Sequence, residues 1–453
     1  MFQWVQLCIF ILCCVGVLFG VLGEFGLQNE TCAFFFLGVS AYAGGKIIRL
    51  IRLPGLLGIL IVGIMFHSLL SFEKYVSVWW SSIIRDCALT AILLKAGLGL
   101  DPDKLSKLKL ATLKLSLIPC LSETIGVAVF SKLFLGLPWT WSLMLGFIIC
   151  AVSAAVLVPG MIDLDEKRFG TEKGISTLML AAVSLDNTVA LAGFFLSISI
   201  LTSQEMTSMF LLKRALEPLI GVLLGGAFGL LMGWITSSKV SYERALLLCL
   251  GGLNFIFLSK RLDVAGAGVL GCVTFTFIAS LRWRKDITSF NSLISIIGML
   301  WKILEIFLFA LIGIQISLDR LNLGLGLGIL FLGISIRIVT TFVALCGTQM
   351  NFKEKIFISA SWISKATVQA AVGSVALEYF EGKNPEMKFG EEVLSLCVLS
   401  IMLTAPLGAL VIDYLGPLLL TKEEEDCPPS NSEKIAQAAL EIAQIMHSEG
   451  MIS

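Results

Sequence analysis

The run Ser176–Phe195, STLMLAAVSLDNTVALAGFF, decides how this chain is read. It has the length of a bilayer-spanning helix, for which about 20 predominantly apolar residues suffice. Near its middle stand a carboxylate and an amide, Asp186 and Asn187. A charge at the centre of a bilayer costs at least ~2.5–3.5 kcal/mol even on the most lenient insertion scale. The rest of the chain must therefore supply a partner, a water-filled cavity or a cargo ion for Asp186.

The surroundings make the membrane reading general. Of 453 residues, 57% are hydrophobic and only 15% charged. Runs like the first recur along the chain, which makes it an all-α polytopic membrane protein with about fourteen transmembrane helices. The first of these runs is Phe2–Val21, the sixth Trp139–Pro159, the seventh Ile175–Ile200, the thirteenth Ile356–Phe380 and the last Glu392–Leu420. Phe2–Val21 lacks the basic start and small-residue cleavage site of a secretory leader, so it is expected to be a retained span. Residues 1–420 form one transmembrane domain, and residues 421–453 an acidic tail with one weakly amphipathic helix, Ser432–His447.

Basic residues crowd alternate loops, at Lys46/Arg49/Arg52, Lys104/Lys107/Lys109, Lys167/Arg168/Lys173, Lys239/Arg244, Arg282/Arg284/Lys285 and Lys353/Lys355. The positive-inside rule then places both termini, and the tail, in the cytoplasm, with the Asn29-Glu30-Thr31 sequon on the outer face. A formal net charge of zero gives no reason to expect a nucleic-acid partner. The 12 Cys stand singly in apolar runs and read as packing residues, and the two His, His67 and His447, are isolated. With short loops and no metal-ligand cluster, nucleophile elbow or phosphate loop, neither an enzyme nor a bound cofactor is expected.

Two spans differ from the rest. The sixth contains CAVSAAVLVPGM, with Ser153 in mid-run, and the thirteenth contains SASWISKATVQAAVGS, with Ser361, Ser364, Lys365, Thr367 and Gln369. Lying seven spans apart, they run in opposite directions. Such a pair points to an inverted-repeat transporter with its site at the midplane, between helices that break there. Close packing through small residues explains Ala and Ser at these positions, but not Lys365 with Gln369.

The other ionisable groups inside apolar runs are Asp186, Arg337, Glu123, and Lys302 with Glu305. Lys302 and Glu305 are three apart on one helix and are expected to satisfy each other. Glu123 is expected to meet a cation across the bundle. Asp186 and Arg337 are each the sole charge of a deep apolar run, and the economical arrangement has them face each other, since stranding one costs ~3–5 kcal/mol. Lys365 would stand in for a bound cation or neutralise helix-end dipoles. A buried carboxylate holds either a proton or a metal cation, which is the requirement for exchanging the two. Hard oxygen ligands for Na⁺ or Li⁺ are on offer at Asp186, Asn187, Ser153, Thr188 and Thr367.

Longer stretches carry a resemblance. GGKIIRLIRLP (Gly44–Pro54), ALTAILLKAGLGLDP (Ala88–Pro102), AVSAAVLVPGM (Ala151–Met161), EKGISTLMLAAVSLDN (Glu172–Asn187) and NFKEKIFISASWISKATVQAAVGSVALE (Asn351–Glu378) follow one another in order. In these the chain resembles the cation/proton antiporter superfamily, in its animal NHA (9B) branch of sodium/hydrogen exchangers. The resemblance implies a homodimer whose protomers each carry two crossed broken helices, at Val152–Pro159 and Ser361–Gln369, and move by an elevator-like cycle. It places the family's two-aspartate motif on Asp186 and Asn187, its basic partner on Arg337, and its acidic position after the Pro119-Cys120 pair on Glu123. Asp186 then becomes the expected ligand of transported Na⁺.

The departures bear on chemistry. Asn187 stands where the resembling proteins carry the aspartate that binds the ion, Ala154 replaces one proline of the breaks, and Ser364 replaces another. An Asn keeps an oxygen ligand but does not titrate. The expectation is secondary-active exchange of Na⁺ or Li⁺ for protons by alternating access. The alternative keeps the fold with altered chemistry, either anion/proton transport or a transport-deficient regulatory paralogue.

Overall fold

The computed structural model describes residues 30–50, 53–100, 109–202, 208–236, 240–262, 264–315, 323–375, 377 and 386–422. The first apolar run, the sequon residue Asn29 and nearly all of the acidic tail lie outside the described residues. In chain order the helices begin with α1 (Glu30–Leu50), α2 (Gly55–Leu70), α3 (Val78–Gly99), α4 (Lys109–Leu135), α5 (Trp139–Cys150) and α6 (Ala154–Glu166). There follow α7 (Ile175–Thr202), α8 (Ser208–Ile235), α9 (Ser241–Arg261), α10 (Ala265–Trp283) and α11 (Ile287–Gln315). The last are α12 (Leu323–Ala344), α13 (Phe352–Ser361), α14 (Thr367–Val372), α15 (Glu386–Leu410) and α16 (Gly416–Leu419), the final two joined by a π-helical turn, Val411–Leu415.

Among the described residues, nine helical stretches are long and apolar enough to cross a membrane, with the interrupted run Trp139–Glu166 taken as one of them. Three charges, Arg85, Asp86 and Lys95, set α3 apart from them. The sixth and thirteenth runs do not form continuous helices. Each divides in two, as their polar and small residues imply.

The helices sort into two bundles. α1, α2, α3, α8, α9, α10 and α11 pack mainly on one another, and α4 to α7 pack with α12 to α16. Small residues set the spacing in the first bundle. A Cβ on Gly63 of α2 would lie 2.3 Å from the Ala310 carbonyl oxygen of α11, and one on Gly225 of α8 would lie 2.3 Å from the Gly271 carbonyl oxygen of α10. Glycine thus permits backbone-to-backbone contact where lipid offers no hydrophobic drive for association. The outward face of α8, with Leu223, Leu230 and Trp234, is exposed and suits a lipid boundary.

Cross-links tie several of the basic loops to one another. Lys173 Nζ donates to Glu354 of α13 at 2.9 and 3.0 Å. Ser241 donates to the Ser289 carbonyl at 2.9 Å, and Arg284 donates to the Leu98 and Leu100 carbonyls at 2.6 and 2.7 Å. Beside Arg284, Asp286 caps α11 through the Ser289 amide, and the Ser289 side chain together with that amide holds its carboxyl below the usual carboxylate range. Asn351 and Glu354 form a capping box on α13.

Candidate functional site

Two helix breaks cross at the heart of the second bundle. The chain leaves α5 through Ala151–Ser153, in extended backbone, and leaves α13 through Trp362–Ala366. The first break therefore begins earlier than the sequence reading placed it, and Pro159 lies inside helix α6 rather than at the interruption. The breaks touch directly, since the Ser153 amide donates to the Ser364 carbonyl at 2.8 Å. Neither break holds the proline that the family pattern led one to expect. Capping groups from other helices fix them instead.

A broken helix exposes backbone groups that water cannot reach here. The carbonyls at the C-terminal ends of α5 and α13 carry the negative ends of their helix dipoles, and cations meet them. Arg337, buried on α12, donates Nε to the Trp362 carbonyl at 3.0 Å and Nη1 to the Cys150 carbonyl. One guanidinium thus closes both helix ends. Lys365 Nζ also donates to the Cys150 carbonyl, at 3.1 Å. Gln369 Nε2 caps the Ile148 and Ala151 carbonyls at 2.8 and 2.9 Å. On the donor side, Asp186 Oδ2 accepts from the Val152 amide at 3.0 Å, and Thr404 Oγ1 accepts from the Lys365 amide at 2.8 Å.

The same cations neutralise the buried carboxylates. Arg337 Nη2 reaches Asp186 Oδ1 at 2.7 Å and Nη1 reaches Glu123 Oε2 at 2.6 Å. Lys365 Nζ reaches that Glu123 oxygen at 2.8 Å. Two carboxylates and two cations form one cluster of zero formal charge, sealed from solvent. The expected facing of Asp186 and Arg337 is what the structure holds, and Glu123 meets two cations where one was expected. Lys302 and Glu305 depart from expectation. Among the described residues no direct ion pair joins them, and both line a separate cavity of about 580 Å³ with Arg49, Lys95 and Asp413.

Asn187 faces the other way from its neighbour. It lines a cavity of about 430 Å³ between the two bundles, together with Ser184, Thr188 and Thr367. The cavity runs from Arg284, Leu98 and Phe290 at the basic-loop end to Asn187 and Thr367 beside the crossing. Asp186 is not among its lining groups. Among the described residues, the buried oxygens at or beside the crossing that lack a hydrogen-bond partner include Asn187 Oδ1, Thr367 Oγ1 and Ser153 Oγ, and also Ser364 Oγ, Gln369 Oε1 and Glu123 Oε1. Thr188 donates its hydroxyl proton to the Ser184 carbonyl at 2.8 Å, so its lone pairs remain for a ligand. Partnerless buried oxygens are costly unless a cargo ion or water uses them. As a donor set for a hard alkali cation they are suitable.

The structure thus brings Asp186, Arg337, Lys365 and Glu123 into one cluster, and sets Asn187, Thr188 and Thr367 on a cavity floor beside it. Sequence reasoning missed Gln369's part as a carbonyl cap and passed over Lys95, which lines both cavities.

Comparison with known proteins agrees with this architecture. The family model for the transmembrane sodium/hydrogen exchanger domain matches residues 35–415. Human sodium/hydrogen exchanger 9B1 is 35% identical over 434 residues, covering 91% of this chain and 82% of that protein. Sodium/hydrogen exchanger 9B2 of Xenopus tropicalis is 38% identical over 402 residues, covering 85% and 74%. Among solved structures, the sodium proton antiporter MjNhaP1 from Methanocaldococcus jannaschii superposes with a TM-score of 0.67 at 18% identity, covering 85% of this chain and 99% of its own. That likeness concerns the fold, whereas the 9B relatives and the family model concern descent. This multi-pass membrane protein belongs to the sodium/hydrogen exchanger family.

Proposed function

We infer that the chain exchanges a monovalent cation, Na⁺ or Li⁺, for protons across a membrane, with the cation seated at the crossing of the two broken helices. One observation carries the reading: a neutral, sealed charge cluster fixes the crossing, while beside it Asn187, Thr188 and Thr367 offer oxygens at the inner end of a cavity lined from one side of the molecule. Helix breaks next to a one-sided cavity suit alternating access. The bundle holding the crossing would move as an elevator against the other, with two protomers joined through the latter. The basic-loop end would face the cytoplasm, as would both termini, and the site would be open inward.

Proton coupling falls to Asp186, next to Asn187 in sequence. To take a proton Asp186 must loosen from Arg337, which keeps Glu123 as its counter-charge. One Na⁺ bound beside ionised Asp186 and one proton on Asp186 leave the same net charge, so exchange by this route is electroneutral. The second reading, altered chemistry on the same fold, draws on Asn187, which does not titrate, and on the direct pairing of both central carboxylates.

Proteoliposomes separate the two. With wild-type protein, an inward Na⁺ gradient drives protons out and the lumen turns alkaline, and Asp186→Asn abolishes the change. Chloride-dependent proton movement without any response to Na⁺ or Li⁺ would favour the second reading.

A further inference from the structure

The cavity that ends at Asn187 is lined by two charged side chains, Lys95 and Arg284, and by no carboxylate. Arg284 is committed, because its guanidinium donates to the Leu98 and Leu100 carbonyls and lies 4.6 Å from the Phe290 ring centroid. Lys95 is held differently. Its Nζ lies 5.7 Å from the Trp301 ring centroid, and among the described residues no hydrogen bond or direct ion pair fixes it. Such a contact is weak compared with an ion pair, at roughly 0.5–2 kcal/mol. The ammonium is thus free to turn about its four-carbon stem.

Lys95 also lines the adjoining 580 Å³ cavity, and Trp301, Ala154, Ala155 and Val158 border both spaces with it. The neighbouring cavity holds Glu305, Lys302, Arg49 and Asp413. Glu305 and Lys302 are the charges that act on Lys95, one attracting it and one repelling it. Glu305 in turn has Lys95, Arg49 and Lys302 as its surrounding cations, without a direct pair to any among the described residues. A flexible cation therefore stands at the junction of two cavities, one ending at the oxygen floor and the other holding a carboxylate.

We propose that Lys95 is a retractable internal cation that competes with the transported cation for the cavity above Asn187 and withdraws towards Glu305 when that cation enters. The proposal rests on the exchange reading above and adds to it the residue that sets cation affinity. Charge accounts for the direction. With the cavity empty, Lys95 supplies its positive charge. When Na⁺ arrives at Asn187, Thr188 and Thr367, repulsion turns the ammonium to the Glu305 side, where a carboxylate receives it. No bond breaks, and no proton needs to move for this step.

The cavity's volume sets the size of the effect. A compact space of about 430 Å³ is roughly 9 Å across, so two unit charges sharing it at an effective dielectric of ~20–40 shift an affinity roughly 5- to 20-fold. The test reads Na⁺ affinity from the Na⁺-dependent rise in melting temperature of the purified full-length protein in detergent, with choline balancing ionic strength. Lys95→Gln should tighten Na⁺ binding by roughly 5- to 20-fold. Lys95→Arg, which keeps the charge, should stay near wild type, and Glu305→Gln, which removes the receiving carboxylate, should weaken binding. A Lys95→Gln protein whose Na⁺ affinity is unchanged or weaker overturns the proposal. So does a Glu305→Gln protein that binds Na⁺ more tightly. Wild-type protein that neither Na⁺ nor Li⁺ stabilises removes the exchange reading itself, and the proposal with it.

Discussion

Replacing Arg337 by Gln tests the physical basis of the site without any reference to transport. The substitution removes a positive charge that touches Asp186 Oδ1 at 2.7 Å and Glu123 Oε2 at 2.6 Å, uncaps the Trp362 carbonyl and takes one of two caps from the Cys150 carbonyl. Lys365 remains on Glu123 at 2.8 Å and on Cys150, so the groups left without a cation are Asp186 and the Trp362 carbonyl. Stranding a buried charge costs ~3–5 kcal/mol, and an unsatisfied buried carbonyl adds ~1–3 kcal/mol. The sum is a large share of the ~5–15 kcal/mol that holds a typical protein folded. Arg337→Gln should therefore melt far below wild type. Adding Asp186→Asn removes the stranded charge and should recover roughly two-thirds of the loss, because the Trp362 carbonyl stays uncapped. Melting followed by tryptophan fluorescence in one detergent gives the three values. If the double variant is as unstable as the single one, or if Arg337→Gln melts with wild type, the cluster does not hold the crossing as argued.

Gln369→Leu deletes the caps on the Ile148 and Ala151 carbonyls and should cost ~2–4 kcal/mol, seen as a lower melting temperature. Glu354→Ala breaks both the capping box of α13 and the ion pair to Lys173 and should cost ~1–3 kcal/mol, whereas Lys167→Ala, whose pair with Asp163 is exposed, should change melting little. Gly313→Leu forces a side chain against the Leu60 carbonyl, 2.5 Å from its Cβ, and should prevent α2 and α11 from packing, which a loss of monodisperse protein in size exclusion would report.

The sequence made some of this legible for definite reasons. Asp186 and Arg337 were each the only charge in a deep apolar run, and a membrane leaves such groups few solutions. The two breaks were readable from Ser153, Ser364, Lys365 and Gln369 in spans that should be apolar, though not their limits, because the groups that end α5 and α13 come from α12 and α14. Backbone carbonyls make half of the site's contacts, and a sequence does not display where they point. The Lys302–Glu305 expectation failed on the same ground. Spacing on one helix brings two side chains near each other, but here a cavity opens beside them and offers Lys95, Arg49 and Asp413 as competing neighbours. Lys95 is harder to read, because its run also holds Arg85 and Asp86, so it does not stand out as the sole charge of an apolar span as Asp186 and Arg337 do.

On the exchange reading, a cation seated beside Asn187 exchanges for a proton without a carboxylate at position 187. Side-by-side proteoliposomes of wild type and Asn187→Asp, each given an inward Na⁺ or Li⁺ gradient and an internal pH dye, address it most directly. Wild-type vesicles should turn alkaline inside, with Asn187→Asp altering the amplitude or the proton-to-cation ratio. Silent wild-type vesicles beside active Asn187→Asp vesicles would contradict it.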